Sequence, residues 1–315
     1  MEPLFLDSPM HEKIWGGNRL KTEFGYDIPS EHTGEYWAIS AHPNGVSYVK
    51  NVKYSGFHLA ELYKDKPELF GHPKASVFPL LTKILDANDW LSVQVHPDDA
   101  YGLEHEGELG KTECWYIIDA EEGAEIIYGH KAKTKEELAS LIEAGDWDGL
   151  LSKTSVKKGD FFFVPSGTMH AIGPGILILE TQQSSDTTYR VYDFDRRDDQ
   201  GNQRELHIQQ SLEVLNLGEP QNSVPSTVKT MQLEMTCLTS NAFFTVYKWK
   251  FSGLVDFKQS APYLLCSVLS GNGTLTVDSR IYCLKKGDHF LLPNNVTDWE
   301  IDGQLEMIVS HPNEA

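Results

Sequence analysis

Short apolar or alternating runs, each bounded by Gly, Pro, Asn or Asp, recur along the chain: residues 78–84, 91–95, 114–118, 125–128, 161–164, 176–180, 243–251, 264–269, 273–277 and 290–292. Many short strands separated by turn signals predict an all-β dominated protein built from small barrels or sandwiches. Helices are the minority, expected over residues 57–70, 134–151 and 204–217. The middle one opens with a capping box, Thr134 with Glu137, ahead of Leu138, Leu141 and Ile142. It falls between two strands that carry candidate chemistry, so it reads as a helical insertion into a barrel near residues 132–152.

A repeat divides the chain. Residues 157–165, KKGDFFFVP, align without gaps to residues 285–293, KKGDHFLLP, and continuing the alignment sets Asp298 opposite His170. The expected organisation is therefore a catalytic barrel over residues 1–220 and a related, metal-free barrel over 221–315. The polar stretch 218–226, with Pro220 and Pro225, is the boundary. Lys157 and Lys158 recur as Lys285 and Lys286, which assigns them to the turn before the repeated strand.

Composition narrows the partners. A formal charge of −19 over 315 residues lacks the basic stripe that phosphate backbones and anionic membranes require, so no nucleic-acid or membrane partner is expected. An anionic small molecule would need a few local cations in a pocket. The apolar runs fall far short of the roughly 20 residues needed to span a bilayer. The first residues carry no basic, apolar and cleavable signal pattern. Cys114, Cys237, Cys266 and Cys283 form no CxxC pair and read as reduced. A cytoplasmic protein is expected, as a monomer or weak homo-oligomer.

The candidate chemistry lies in three segments. Side chains two apart on a strand share a face, so Gln94 looks the same way as His96, and Lys111 the same way as Glu113. Cys114 should face away. His170 closes the third segment, 159–170. Two imidazoles, one carboxylate and one amide oxygen converging in a small barrel suit Zn²⁺ or a similar divalent ion, with room for a water or substrate oxygen.

The pattern Gly159-x5-Pro165-x-Gly167-x2-His170 resembles the second cupin motif, although Pro174 stands where an asparagine is often found. In the first cupin motif Gln94 replaces a usual histidine, and 16 residues separate His96 from Glu113. With Trp15-Gly16-Gly17, Gly34-Glu35-Tyr36-Trp37, Leu81-Thr82-Lys83 and the run from Glu180 to Arg190, these departures resemble the type I mannose-6-phosphate isomerase family in a short bacterial form.

The resemblance implies two cupin (jelly-roll) barrels, one zinc per chain on Gln94, His96, Glu113 and His170, and a sugar phosphate as substrate. It places the family's active-site arginine at Arg190, a carboxylate at Asp186 and a pocket lysine at Lys111. The implied reaction interconverts mannose 6-phosphate and fructose 6-phosphate through an enediolate. Arg190 would stabilise its charge, and Lys111 or Asp186 would move protons, Lys111 because burial beside a metal disfavours its charged form and Asp186 in ring opening. Lys83, Lys111 and Arg190 are the expected substrate-binding cations, although Lys83 reads equally as a solvated strand-end lysine. Two rival readings are an Fe(II) dioxygenase with a facial triad and a non-catalytic sugar-phosphate-binding cupin. Gln94 and the Arg190 segment oppose the first, and Lys111, Asp186 and Arg190 together oppose the second.

Overall fold

The computed structural model describes residues 1–198 and 200–313. Three sheets carry the fold. A six-stranded sheet runs Phe161–Val164, Glu113–Ala120, Ile176–Gln183, Leu80–Ala87, Met10–Gly17 and Thr33–Ile39 in lateral order. A five-stranded sheet runs Tyr189–Tyr192, Val93–Val95, His170–Ile172, Glu125–His130 and Leu151–Ser155. They form the two sides of the first barrel, whose interior is filled by Trp15, Leu85, Trp115, Ile117, Ile126 and Ile178. Alternation explains the arrangement, because Trp115 and Ile117 point inward while Cys114 and Tyr116 join the cluster on the sheet's other face.

The third sheet, of ten strands, makes the second barrel from residues after 225, with a core of Trp249, Phe251, Cys266, Phe290, Trp299 and Met307. Two N-terminal strands complete it. Leu4–Asp7 pairs with His289–Leu292 and with Tyr48–Val49. The chain therefore crosses between the barrels four times, and one apolar cluster containing Leu4, Phe70, Tyr116, Phe244 and Leu291 spans both. Between Val214 and Ser226 there is neither helix nor strand. Within that stretch Asn222 docks on the edge strand of the first barrel, accepting from Phe163 N (2.8 Å) and donating to Phe161 O (2.7 Å).

The repeat is a repeated turn. Lys157 N donates to Asp160 Oδ2 (2.9 Å) with Gly159 at φ 90°, and Lys285 N donates to Asp288 Oδ2 (2.8 Å) with Gly287 at φ 89°. Both glycines occupy a backbone region closed to most side chains. His170 and Asp298 each open the strand that follows.

The helices are shorter than the periodicity suggests, for local reasons. Residues 57–70 form Leu59–Asp65 and then a separate 3-10 turn, Pro67–Phe70, because proline disfavours helical backbone at Lys66. The capped helix Lys135–Ala144 stops at Gly145, which is left-handed, and Asp146 caps a new turn at Trp147–Leu150. The third expected helix is confined to Ile208–Val214, since His207 N is tied to Arg190 O and Arg204 to Asp193. The second and third of these regions sit outside the five-stranded sheet, where Leu138, Ile142 and Leu150 pack in one cluster with Val93, Val95 and Val191, whereas Leu59, Leu62 and Phe70 join the cluster that spans both barrels. A helix that the pattern did not announce, Asp99–His105, lies in the gap between His96 and Glu113. Among the described residues no helix is long and apolar enough to cross a membrane.

Candidate metal centre and active site

Strand register builds the site. Gln94 lies between two cross-strand neighbours, His170 on one side and Arg190 on the other, so all three face the interior from the five-stranded sheet. From the opposite sheet come two rows: Lys83, Glu180 and Trp115, and next to it Gln182 with Glu113. His96 follows the Val93–Val95 strand and completes the cluster.

His96, Glu113 and His170 are all buried, and their ligand atoms lie within 4.8 Å of one another. Each imidazole is oriented from behind. His96 Nδ1 is 2.9 Å from Thr187 O, and His170 Nδ1 is 2.8 Å from Thr168 O. A carbonyl only accepts, so both Nδ1 atoms carry the proton and both Nε2 lone pairs point at Glu113, 3.5 Å away in each case. Burial lowers both histidines, His96 well below its ordinary value with help from Lys111, and His170 to about 4. Both are neutral at physiological pH, the form that metal ligation requires.

Gln94 Nε2 lies 3.4 Å from His170 Nε2, and its Oε1 accepts from Ser92. Rotating the amide by a half-turn presents the oxygen to the same point. Glu113 Oε1 accepts from Trp115 Nε1, whereas Oε2 is buried without a hydrogen bond of good geometry. Two unprotonated imidazole nitrogens, a carboxylate oxygen without such a bond and an amide oxygen within reach fit a divalent cation. Cys114 faces the other side of its strand and takes no part. Among the described residues, His96, Glu113 and His170 are the one group of such side chains close enough together to hold a metal ion.

A cation already reaches the cluster from the side. Lys111 Nζ is 3.1 Å from Glu113 Oε2 and 3.2 Å from His96 Nε2, and the side chain is buried. Burial by itself pulls its pKa down, but Glu113 and Glu180 outweigh burial and raise it. In the metal-free protein two carboxylates thus hold Lys111 in its charged form.

Next to the cluster is a cavity of about 290 Å³. Its walls include Gln94, His170, Lys111, Asp186, Arg190 and Arg204, together with Lys13, Glu35, Lys83 and Glu180 from the six-stranded sheet. Lys83 is not a solvated strand end. It is buried at 3% exposure, 3.7 Å from Glu35, 4.0 Å from Glu180 and 4.5 Å from the centre of the Trp37 ring. Asp186 and Arg190 both face the cavity, and among the described residues no ion pair joins them. Asp186 accepts from Asn44 Nδ2 (2.9 Å), and Arg190 Nη1 donates to Glu205 O while its Nε is buried without a partner. Burial and the neighbouring Arg204 lower Arg190. Such a guanidinium is an anion site in waiting.

Two carboxylates here had no role assigned from sequence. Burial would raise Glu35, but Lys83 and Lys13 overcome it and hold the group below the usual carboxylate range. Glu180, between Lys83 and Trp115 Nε1, is raised to about 7 by burial and by Glu113. Both stand in segments that the family resemblance quotes, Gly34-Glu35-Tyr36-Trp37 and the run opening at Glu180. Strand alternation places Glu35 with Trp37 and Glu180 with Gln182, but which face is interior depends on partners far away in the chain.

Comparison with known proteins agrees with this geometry. Residues 4–119 match the family described as phosphomannose isomerase type I, catalytic domain, and residues 234–312 match mannose-6-phosphate isomerase, cupin domain. The chain is 70% identical over 314 residues to a mannose-6-phosphate isomerase of Streptococcus mutans, covering 100% of this chain and 99% of that one. It is 54% identical to a mannose-6-phosphate isomerase of Bacillus subtilis, covering 98% and 99%. A crystal structure of the mannose 6-phosphate isomerase from Bacillus subtilis superposes with a TM-score of 0.96 at 49% identity, covering 99% of this chain and 100% of that one.

Proposed function

Because the chain belongs to the type I mannose-6-phosphate isomerase family, we propose how its own residues carry out the interconversion of mannose 6-phosphate and fructose 6-phosphate. The observation that supports the assignment is the convergence of His96, Glu113 and His170 beside a cavity edged by cations. Gln94, His96, Glu113 and His170 hold one zinc ion, which when bound supplies a Lewis-acidic charge beside the oxygens of the sugar.

The open-chain substrate must lose a proton from the carbon next to its carbonyl and regain one on the neighbouring carbon, and the enediolate between them carries negative charge on two oxygens. Arg190, fixed by Glu205 O and unpaired by any carboxylate, stabilises that charge. Lys111 is held as an ammonium group and donates to a substrate oxygen. Asp186, held by Asn44, assists ring opening. Glu180 is a further cavity carboxylate able to carry the travelling proton. The substrate's phosphate is gripped by cations on the cavity wall. Arg190 and Lys111 act at the reacting carbons, which leaves Lys13, Lys83 and Arg204 on the wall as the cations for the phosphate.

The division into a catalytic unit before residue 220 and a metal-free unit after it follows from the same reading, since all four ligands precede the unstructured stretch 215–225. The setting we infer is the cytoplasm, as a monomer or weak homo-oligomer, on the acidic composition and four unpaired cysteines. The decisive experiment is a coupled assay with mannose 6-phosphate on chelated protein. Turnover should vanish on chelation and return with Zn²⁺. Full turnover after complete metal removal would refute the metal role, and binding without isomerisation would favour a non-catalytic cupin.

A further inference from the structure

Outside the ligand cluster, one partly exposed carboxylate collects an unusual number of donors. Glu108 follows the helix Asp99–His105, in the connection between His96 and Glu113. Its Oε2 accepts from Ser185 Oγ (3.2 Å), Asp186 N (3.1 Å) and Thr187 Oγ1 (3.1 Å). Its Oε1 faces His42 Nε2 at 3.2 Å. His42 Nδ1 accepts from Asn44 N, so the hydrogen is on Nε2 and is donated to Glu108. Four donors surround the group, a demand that only an ionised carboxylate meets.

Each partner leads back to the site. The segment between the strands Ile176–Gln183 and Tyr189–Tyr192 has no ladder of its own, and it carries two functional atoms. One is the Asp186 carboxylate on the cavity wall, steadied by Asn44 from the same loop as His42. The other is Thr187 O, the acceptor that fixes the tautomer and tilt of His96. We propose that Glu108 is a positioning residue for both: by gathering residues 185–187 against the His42–Asn44 loop, it sets Asp186 over the cavity and aims His96 at the metal. It touches neither substrate nor ion.

This inference deepens the metal-centre reading and rests on it, and one experiment separates the two. Zinc-loaded wild type, Glu108→Ala and Glu108→Gln are compared for zinc release to a chromophoric chelator, for kcat and KM with mannose 6-phosphate, and for the visible spectrum of the cobalt-loaded forms. Glutamine keeps an oxygen for the three loop donors and loses only the acceptor for His42. Outer-shell partners of metal ligands are worth about 10- to 100-fold in metal affinity or activity. Glu108→Ala should therefore release zinc at least about tenfold faster and lose about 10- to 100-fold in kcat, with a changed cobalt spectrum and a smaller change in KM. Glu108→Gln should recover most of each loss.

A folded Glu108→Ala protein that stays within about twofold of wild type in zinc release and kcat overturns the proposal. Equal losses in Ala and Gln overturn it as well, because the loop donors keep their acceptor in Gln. Should Glu108→Ala fail to fold, Ser185→Ala and Thr187→Val each delete one donor, and wild-type behaviour of both overturns it. Wild-type protein that takes up no zinc would instead refute the metal-centre reading, and the Ala and Gln comparison of kcat would then decide the role of Glu108 alone.

Discussion

Lys111→Met removes an ammonium group from between Glu113 and His96 while keeping most of its volume. In the metal-free protein this strands Glu113, which is 1% exposed and 3.1 Å from Lys111 Nζ, as a buried charge without its cation. Breaking one half of a buried pair costs about 3–5 kcal/mol. With about 2.1 cal/mol/K of unfolding entropy per residue over 315 residues, 1 kcal/mol shifts the melting midpoint by roughly 1.5 °C, so the chelated variant should melt roughly 5–8 °C lower. A divalent ion on Glu113 supplies the missing charge, so the deficit should shrink in the zinc-loaded form. Linkage then fixes a third quantity: if zinc removes about 2 kcal/mol of the penalty, the variant binds zinc roughly 30-fold more tightly than wild type. The expected phenotype is a protein that has lost isomerase turnover and gained zinc affinity. Melting curves with chelator and with zinc, plus competition against a metal indicator, measure both. The reasoning fails if the deficit is the same in the two forms, or if zinc affinity falls.

Arg190→Ala should lower kcat by about 100-fold or more with a modest change in KM, and Arg190→Lys should rescue little because the partner-free Nε of the guanidinium is lost, as steady-state assays will show. His289 is buried and depressed to about 3, by burial first and then by Lys285 and Lys50. Below pH 6.5 the unfolded chain binds a proton that the folded chain refuses. Stability therefore falls with pH between 6.5 and about 3, by about 2 kcal/mol from this group on reaching pH 5. His289→Gln, which can still bond Tyr26 or Ser267, should flatten that dependence in urea titrations across the range, and an unchanged slope would contradict it. Asn222→Ala should cost about 0.5–1.5 kcal/mol in melting experiments, since Phe163 N and Phe161 O at the barrel edge then turn to water for a partner, with kcat unaffected.

The ligand set was legible because its chemistry is local. Alternation alone pairs Gln94 with His96 and Lys111 with Glu113, and the turn at Gly159 to His170 has a fixed form. The environment of Lys83 was not legible, since the same strand end is solvated or buried according to what lies across from it, here Glu35 and Glu180 from strands at opposite ends of the first barrel's sequence. The charge state of Lys111 turned on Glu180 in the same way. Helix Asp99–His105 escaped notice because it is seven residues long and buries only Gly102. Its boundary signal, Asp98 accepting from Tyr101 N, is a cap without the apolar stripe that announces longer helices. The helices at residues 57–70 and 134–151 were overextended because apolar spacing continues through Pro67 and Gly145, where the backbone does not.

The strand Leu4–Asp7 belongs to the sheet of the second barrel, hydrogen-bonded to residues that follow it by nearly the whole chain. During synthesis this strand can pair early with Tyr48–Val49 on one side, but its other side waits until residues 289–292 have left the ribosome. The two barrels thus finish folding as one event, at the end of translation. A fragment holding only residues 221–315 would expose the open edge of His289–Leu292, a template for pairing with any other strand. Splitting the protein at its apparent seam should yield an aggregating half, because its last contacts are made by its first residues.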